Sequence, residues 1–191
     1  MDKNIAVFAS GRGSNTKNII EYFKDKNIKV ALIVTDNKNA GVLQYAATYD
    51  IPALILEKGQ LQKPQRLLES LKKHNIALIV LAGFLKLIPP ALIEAYKNKI
   101  VNIHPALLPK YGGKGMYGMH VHRAVKKAGE QYSGITIHFV NENYDEGEII
   151  FQKKIKIDPG DSAKDIAGKI HKLEYRYYPV VIESLLEKNK N

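Results

Sequence analysis

Four short apolar runs, NIAVFAS, VALIVTD, PALILE and ALIVLAG, punctuate the first half of the chain. Each is β-branched or aliphatic and is bounded by Gly, Pro, Asp or Asn, and the stretches between them repeat apolar residues at helical spacing. This alternation predicts an α/β fold: a Rossmann-like, open, mostly parallel sheet with helices on both faces. The first helix is expected to begin near Ser14 or Asn15 and to turn Ile19, Ile20 and Phe23 inward. A second covers roughly Ala40 to Tyr49 and a third Leu67 to Lys73.

PPALIEAY opens with prolines suited to a helix's first turn, and IVNIH then reads as a strand ending at Pro105. Beyond it the pattern changes. SGITIHFVN and EGEIIFQKKIKI, joined by acidic turn residues, read as two longer antiparallel strands, the second alternating as a half-exposed one does. From Asp161 to Lys188 runs a long C-terminal helix, with Ser162 and Asp165 at capping-box spacing and Ile166, Ile170, Leu173, Tyr177 and Val181 expected inside. Pro179 is expected to bend or split it.

Composition narrows the class. At 191 residues the chain fits one domain, and no apolar run is long enough to span a bilayer. The start, MDKN running straight into a strand, is expected to leave no room for a signal peptide, which points to a cytoplasmic protein. With no cysteine there is neither a disulfide nor a thiolate-bound metal. The net charge of +10 comes almost wholly from lysine, arginine standing only at Arg12, Arg66, Arg123 and Arg176. The lysines alternate with acids on helical surfaces and no aromatic nucleic-acid signature accompanies them, so neither a nucleic acid nor a membrane partner is expected. Attraction toward small phosphorylated or carboxylated ligands fits.

Two stretches carry chemistry. FASGRGSN follows the first strand and opens the first helix, so the backbone N–H groups of Gly11, Arg12, Gly13, Ser14 and Asn15 lie near a positive helix end and suit a phosphate monoester. It lacks the third glycine of a dinucleotide fingerprint and the Gly-Lys-Ser/Thr of a P-loop. In VNIHP, Asn102 and His104 alternate along a strand and therefore share a face, roughly 6 to 7 Å apart at Cα. An amide and an imidazole at a strand end can converge on a carbonyl oxygen that becomes an oxyanion in acyl transfer. Such a histidine wants a carboxylate neighbour to hold it protonated, and NENYDEGEII offers Glu142, Asp145, Glu146 and Glu148, among which spacing does not choose. No residue sits as a covalent nucleophile in a strand-turn-helix elbow, which favours direct transfer. His120 and His122 are spaced for a strand or loop and are expected to order the glycine-rich loop; no zinc motif is present.

GRGSN, LAGFLKLIP, VNIHPALLPKY, SGITIHFV, DEGEII and EYRYYP occur in an order that closely resembles the phosphoribosylglycinamide formyltransferase family, over essentially the whole chain. The resemblance implies a single formyltransferase domain over 1–191, with 1–100 as a phosphate-binding half and 101–191 as a catalytic and folate-binding half. It implies formyl transfer from 10-formyltetrahydrofolate, a co-substrate, to the amine of phosphoribosylglycinamide in purine biosynthesis, without a metal, and it leaves room for a homodimer. It implies Asn102 and His104 as oxyanion stabiliser and general acid, and it selects Asp145 to keep His104 protonated. Gly11 to Asn15 would hold the substrate phosphate and Glu174 its ribose hydroxyls or amine. Leu85, Lys86, Leu87 and Ile88 would give backbone contacts to the pterin. Arg12 either adds a charge-assisted phosphate contact or faces solvent. Hydrolysis of the formyl folate is the rival activity; relatives that do this carry an extra N-terminal domain, and relatives acting on tRNA a C-terminal one.

Overall fold

The computed structural model describes residues 3–188. Its strands are β1 (Lys3–Phe8), β2 (Ile28–Thr35), β3 (Ala53–Ile55), β4 (Ile76–Leu81), β5 (Ile100–His104), β6 (Tyr132–Phe139) and β7 (Ile149–Lys156). Its helices are α1 (Ser14–Phe23), α2 (Val42–Thr48), α3 (Gln65–Lys73), α4 (Pro90–Ala95), α5 (Met119–Lys127) and α6 (Ala163–Lys188). The strands form one sheet in the order β3-β2-β1-β4-β5-β6-β7, parallel from β3 to β5 and antiparallel at β6 and β7.

Strand alternation sorts the core into two layers. Ile5, Val7, Leu78, Val80, Val101 and Ile103 turn to one face and pack with α1, α5 and α6. Ala6, Phe8, Ile79, Leu81 and Ile100 turn to the other, against Leu67 and Leu71 of α3 and Leu92 of α4. Helices on both faces leave the strand ends open, and the connections leaving β1 and β4 diverge there, which is where open α/β sheets form ligand crevices.

Three details depart from the sequence reading. Residues 119–127 form α5, with Val121, His122 and Val125 buried, so His120 and His122 stand on a helix rather than in a loop. The buried stripe of α6 is Ile166, Ile170, Glu174, Tyr178, Ile182 and Leu186, at steps of four, while Leu173, Tyr177 and Val181 lie half-buried beside it. Pro179 does not split α6. Proline cannot donate to the carbonyl four residues back, and that carbonyl, of Tyr175, instead accepts a hydrogen bond from the Asn18 side chain of α1 at 2.9 Å. The capping box is present, Ser162 N–H donating to Asp165 at 2.9 Å and Asp165 N–H to the Ser162 hydroxyl at 3.2 Å.

One buried hydroxyl fastens α6 to the sheet. Tyr178 is fully buried and its OH donates toward the carbonyls of Leu81, 2.9 Å away, and Val101, 3.2 Å away, on the neighbouring strands β4 and β5. Tyr178→Phe keeps the ring but strips both carbonyls of that donor, and is expected to cost about 1–2 kcal/mol, read from the urea midpoint. Among the described residues no helix is long and apolar enough to cross a membrane.

Candidate active site

Asn102 and His104 reach the site because β5 ends there, and the pleat that buries Val101 and Ile103 on one face sets both polar side chains on the other. They line a cavity of about 580 Å³, a size suited to a metabolite or drug-sized ligand. The cavity is also lined by Gly11 to Asn15, by Leu85 to Ile88, by Asp145 and by Glu174, so the residues that the family resemblance assigns to the site border one space, whereas Glu142, Glu146, Glu148 and His120 do not line it.

The glycine turn has the geometry of an anion cradle. Gly13 caps α1 at φ 76°, no side chain caps the helix end, and the first turn holds no acid. The first helical bond runs from Lys17 N–H to Gly13 O, leaving the N–H groups before it free of intrahelical partners. A Cβ on Gly13 would lie 2.7 Å from Val42 Cγ2, so the turn is also too tight for a side chain. Arg12 is exposed at the cavity rim. The segment 85–88 is pinned by Leu85 N–H donating to Ser10 Oγ at 3.0 Å, a contact the sequence did not reveal. Ile88 is buried in the core, whereas Leu85 and Leu87 are exposed.

His104 is 3% exposed. Its Nε2 lies 2.7 Å from the Tyr111 carbonyl, and its Nδ1 3.4 Å from Asp145 Oδ2. Both neighbours are acceptors, so only the imidazolium donates to both. Asp145 is thus the acid that reaches His104, while Glu146 instead accepts from Asn143. Burial is nevertheless the largest influence on His104 and pulls its pKa below the usual value, together with His138 and against Asp145 and the Tyr111 carbonyl. Desolvation thus opposes, at this ring, the charged form that Asp145 and the Tyr111 carbonyl favour. For Asp145 burial pushes upward as the largest single influence. His138, its Nε2 3.6 Å from Asp145 Oδ1, the His104 charge and the Gly113 N–H at 2.9 Å outweigh it, and the carboxyl ends below its usual value. Tyr111 and Asp145, the two residues that face His104, adopt φ 59° and 58°. Left-handed backbone is costly for a tyrosine and marks a conformation imposed by its surroundings. Here Glu130 accepts from both Tyr111 OH, at 3.0 Å, and Lys110 Nζ, at 2.8 Å.

The sequence missed His138. The antiparallel register sets it opposite Asn102, buried, with its Nε2 3.1 Å from the Asn102 amide nitrogen. The same nitrogen donates to Asp145 Oδ1 at 3.3 Å. The amide nitrogen of Asn102, expected as an N–H donor to an oxyanion, thus lies within hydrogen-bond distance of both His138 Nε2 and Asp145 Oδ1. The alternation in SGITIHFV does place Thr136 and His138 on one side of β6, but the long connection from β5, which carries α5, hides its register.

Glu174 is 6% exposed and accepts from Asn15 Nδ2 at 3.0 Å; burial is the main cause of its raised pKa. His122 is also buried, and burial with the neighbouring His171 and His104 lowers its pKa to about 4. Since the unfolded chain keeps a value near 6.5, it takes up the proton first as pH falls. His122 therefore subtracts nothing above that value, and stability drops progressively between about pH 6.5 and 4. The thermal midpoint should fall across this window less steeply in His122→Phe than in wild type. Among the described residues no group of three or more His, Asp or Glu side chains is placed to hold a metal ion.

A model of the formyl transferase family matches residues 3–182. The phosphoribosylglycinamide formyltransferase of Bacillus subtilis is 41% identical over 98% of this chain and 96% of its own length. The chloroplastic phosphoribosylglycinamide formyltransferase of Arabidopsis thaliana is also 41% identical, over 97% of this chain; the chain spans 66% of that relative, just under two thirds. Among solved structures, glycinamide ribonucleotide transformylase 1 from Geobacillus kaustophilus superposes with a TM-score of 0.88 at 36% identity, covering 97% of this chain and 100% of that one.

Proposed function

The chain belongs to the formyl transferase family, and from that premise we propose that it transfers a formyl group from 10-formyltetrahydrofolate to the amine of phosphoribosylglycinamide, in purine biosynthesis. The observation that carries this reading is the meeting, in one cavity, of the glycine turn at the α1 N-terminus, the 85–88 segment and the Asn102–His104–Asp145 group. The turn takes the phosphate, Glu174 the ribose hydroxyls or amine, and the backbone of Leu85 to Ile88 the pterin. On this reading residues 1–100 supply the phosphate-binding half and 101–191 the catalytic and folate-binding half of one domain.

Transfer proceeds by direct attack. The neutral amine adds to the formyl carbon, the C–N bond forming as the carbonyl electrons move to oxygen. Asn102, His104 and Asp145 stabilise the tetrahedral intermediate. The oxyanion adds at His104 a negative charge that favours the imidazolium against burial, and Asp145 beside Nδ1 stabilises the same positive ring. A proton leaves the former amine, one reaches the folate nitrogen, and the C–N bond to folate breaks. The proposal extends to small-molecule partners alone, a cytoplasmic setting and room for a homodimer.

The test is tetrahydrofolate formation from 10-formyltetrahydrofolate, followed by absorbance with and without phosphoribosylglycinamide. Turnover that requires the amine is expected. Turnover indifferent to the amine would replace transfer by hydrolysis, and saturable binding without turnover would make the chain a phosphometabolite sensor.

A further inference from the structure

His138 stands beside the reacting group without a part in the transfer described above. It is 2% exposed, and the pairing of β5 with β6 sets it directly across from Asn102. Its Nδ1 lies 2.7 Å from the carbonyl oxygen of Phe139, which only accepts, so Nδ1 carries a hydrogen. In the neutral ring Nε2 is then a bare acceptor, and it faces the Asn102 amide nitrogen at 3.1 Å. The second hydrogen of that nitrogen meets Asp145 Oδ1 at 3.3 Å. Turning the amide over would set its oxygen against a carboxylate and an imidazole lone pair together. Two acceptors on one nitrogen therefore fix the amide, and Oδ1 is the atom left for a ligand in the cavity that Asn102 lines.

We propose that His138 is a positioning residue which, with Asp145, holds the Asn102 amide nitrogen so that the amide oxygen accepts an N–H of the incoming amine. This rests on the formyl-transfer reading. It gives Asn102 the nitrogen end of the tetrahedral intermediate, where positive charge develops as the amine adds, and leaves the oxyanion to His104. An amine whose hydrogen is held by an acceptor has its lone pair aimed, which is an orientational gain made only in the productive complex. His138 borders the same cavity, and the effect assigned to it passes through Asn102.

The experiment is a double-mutant cycle on the full chain. His138→Leu removes the acceptor and is expected to lower kcat by roughly tenfold to a hundredfold, as loss of a hydrogen bond in a charged network does, with KM for either substrate little changed. His138→Gln, whose side-chain oxygen again accepts, should recover most of the loss. In an Asn102→Ala background His138→Leu should cost almost nothing more, because residues acting as one unit are not additive. An equal loss in both backgrounds, a raised KM at unchanged kcat, or a glutamine variant no better than leucine would overturn the proposal. If the leucine variant does not fold, the wild type alone decides. Its Asn102 amide hydrogens should show NMR cross-peaks to the His138 Hε1 proton, and their absence would overturn the placement. Wild-type turnover with and without the amine is run alongside, so a failure of formyl transfer itself is seen separately.

Discussion

His104→Ala is expected to reduce amine-dependent tetrahydrofolate formation by roughly a hundredfold to ten-thousandfold, the range set by loss of a positioned general acid. The loss should lie in kcat rather than in binding. The glycine turn, Glu174 and the 85–88 backbone are separate from the imidazole in the chain and keep their contacts, whereas the oxyanion exists only after attack. Alanine also deprives the Tyr111 carbonyl and Asp145 Oδ2 of their shared ring. Asp145 retains the Gly113 N–H and Asn102, so the folded site should persist. Steady-state rates over a range of both substrates, with the urea midpoint of the same preparation, separate the two effects. A variant within threefold of wild type in kcat would remove His104 from the chemistry.

Gly147→Ala should act through the backbone. A Cβ there would stand 1.7 Å from the carbonyl oxygen of Phe139 and 2.7 Å from its carbon, distances no side chain can occupy. The crowded atom is the same carbonyl that accepts from His138 Nδ1, and Asp145 lies two residues upstream. Relief of the clash must push the 145–149 turn away from β6, moving Asp145 away from His104 and His138 away from Asn102. The expected cost is roughly 2–4 kcal/mol of stability, as for overpacking that only a backbone shift can relieve, with kcat falling further than the remaining folded fraction explains. Urea titration and activity per folded molecule measure both. A variant with wild-type midpoint and rate would show that the turn yields freely.

Local pattern carried much of this site into view. Asn102 and His104 are visible because strand alternation is a rule of two residues, and the glycine turn because a glycine-rich stretch after a strand and before a helix has few other conformations. The Ser162–Asp165 box is likewise a rule of three residues, and the structure has its hydrogen bonds. What stayed hidden depends on partners distant in sequence. His138 acquires meaning only from the β5–β6 register, and Asp145 stands out from its acidic neighbours only when the turn places it 3.4 Å from His104. The buried face of α6 was misjudged by one residue because Glu174, polar and yet enclosed, occupies the middle of the stripe. The tolerance of Pro179 was invisible because its rescue comes from Asn18, 161 residues earlier in the chain. The lowered pKa of His104 reflects a burial that no charge pattern records.

Glu174 and Tyr178 are one turn apart on the same side of α6, the first opening on the cavity and the second tied to the carbonyls of Leu81 and Val101. A substrate held by the carboxylate therefore restrains a helix whose next turn is already anchored. From Glu174 to Leu186 is about 18 Å along the axis, at 1.5 Å per residue. Deuterium uptake in this stretch should slow on substrate binding well beyond the last atom in contact, because the helix opens as a segment and not residue by residue. Occupancy of the cavity beside Glu174 would then be readable by mass spectrometry toward the C-terminal end of α6, in peptides that never meet the ligand.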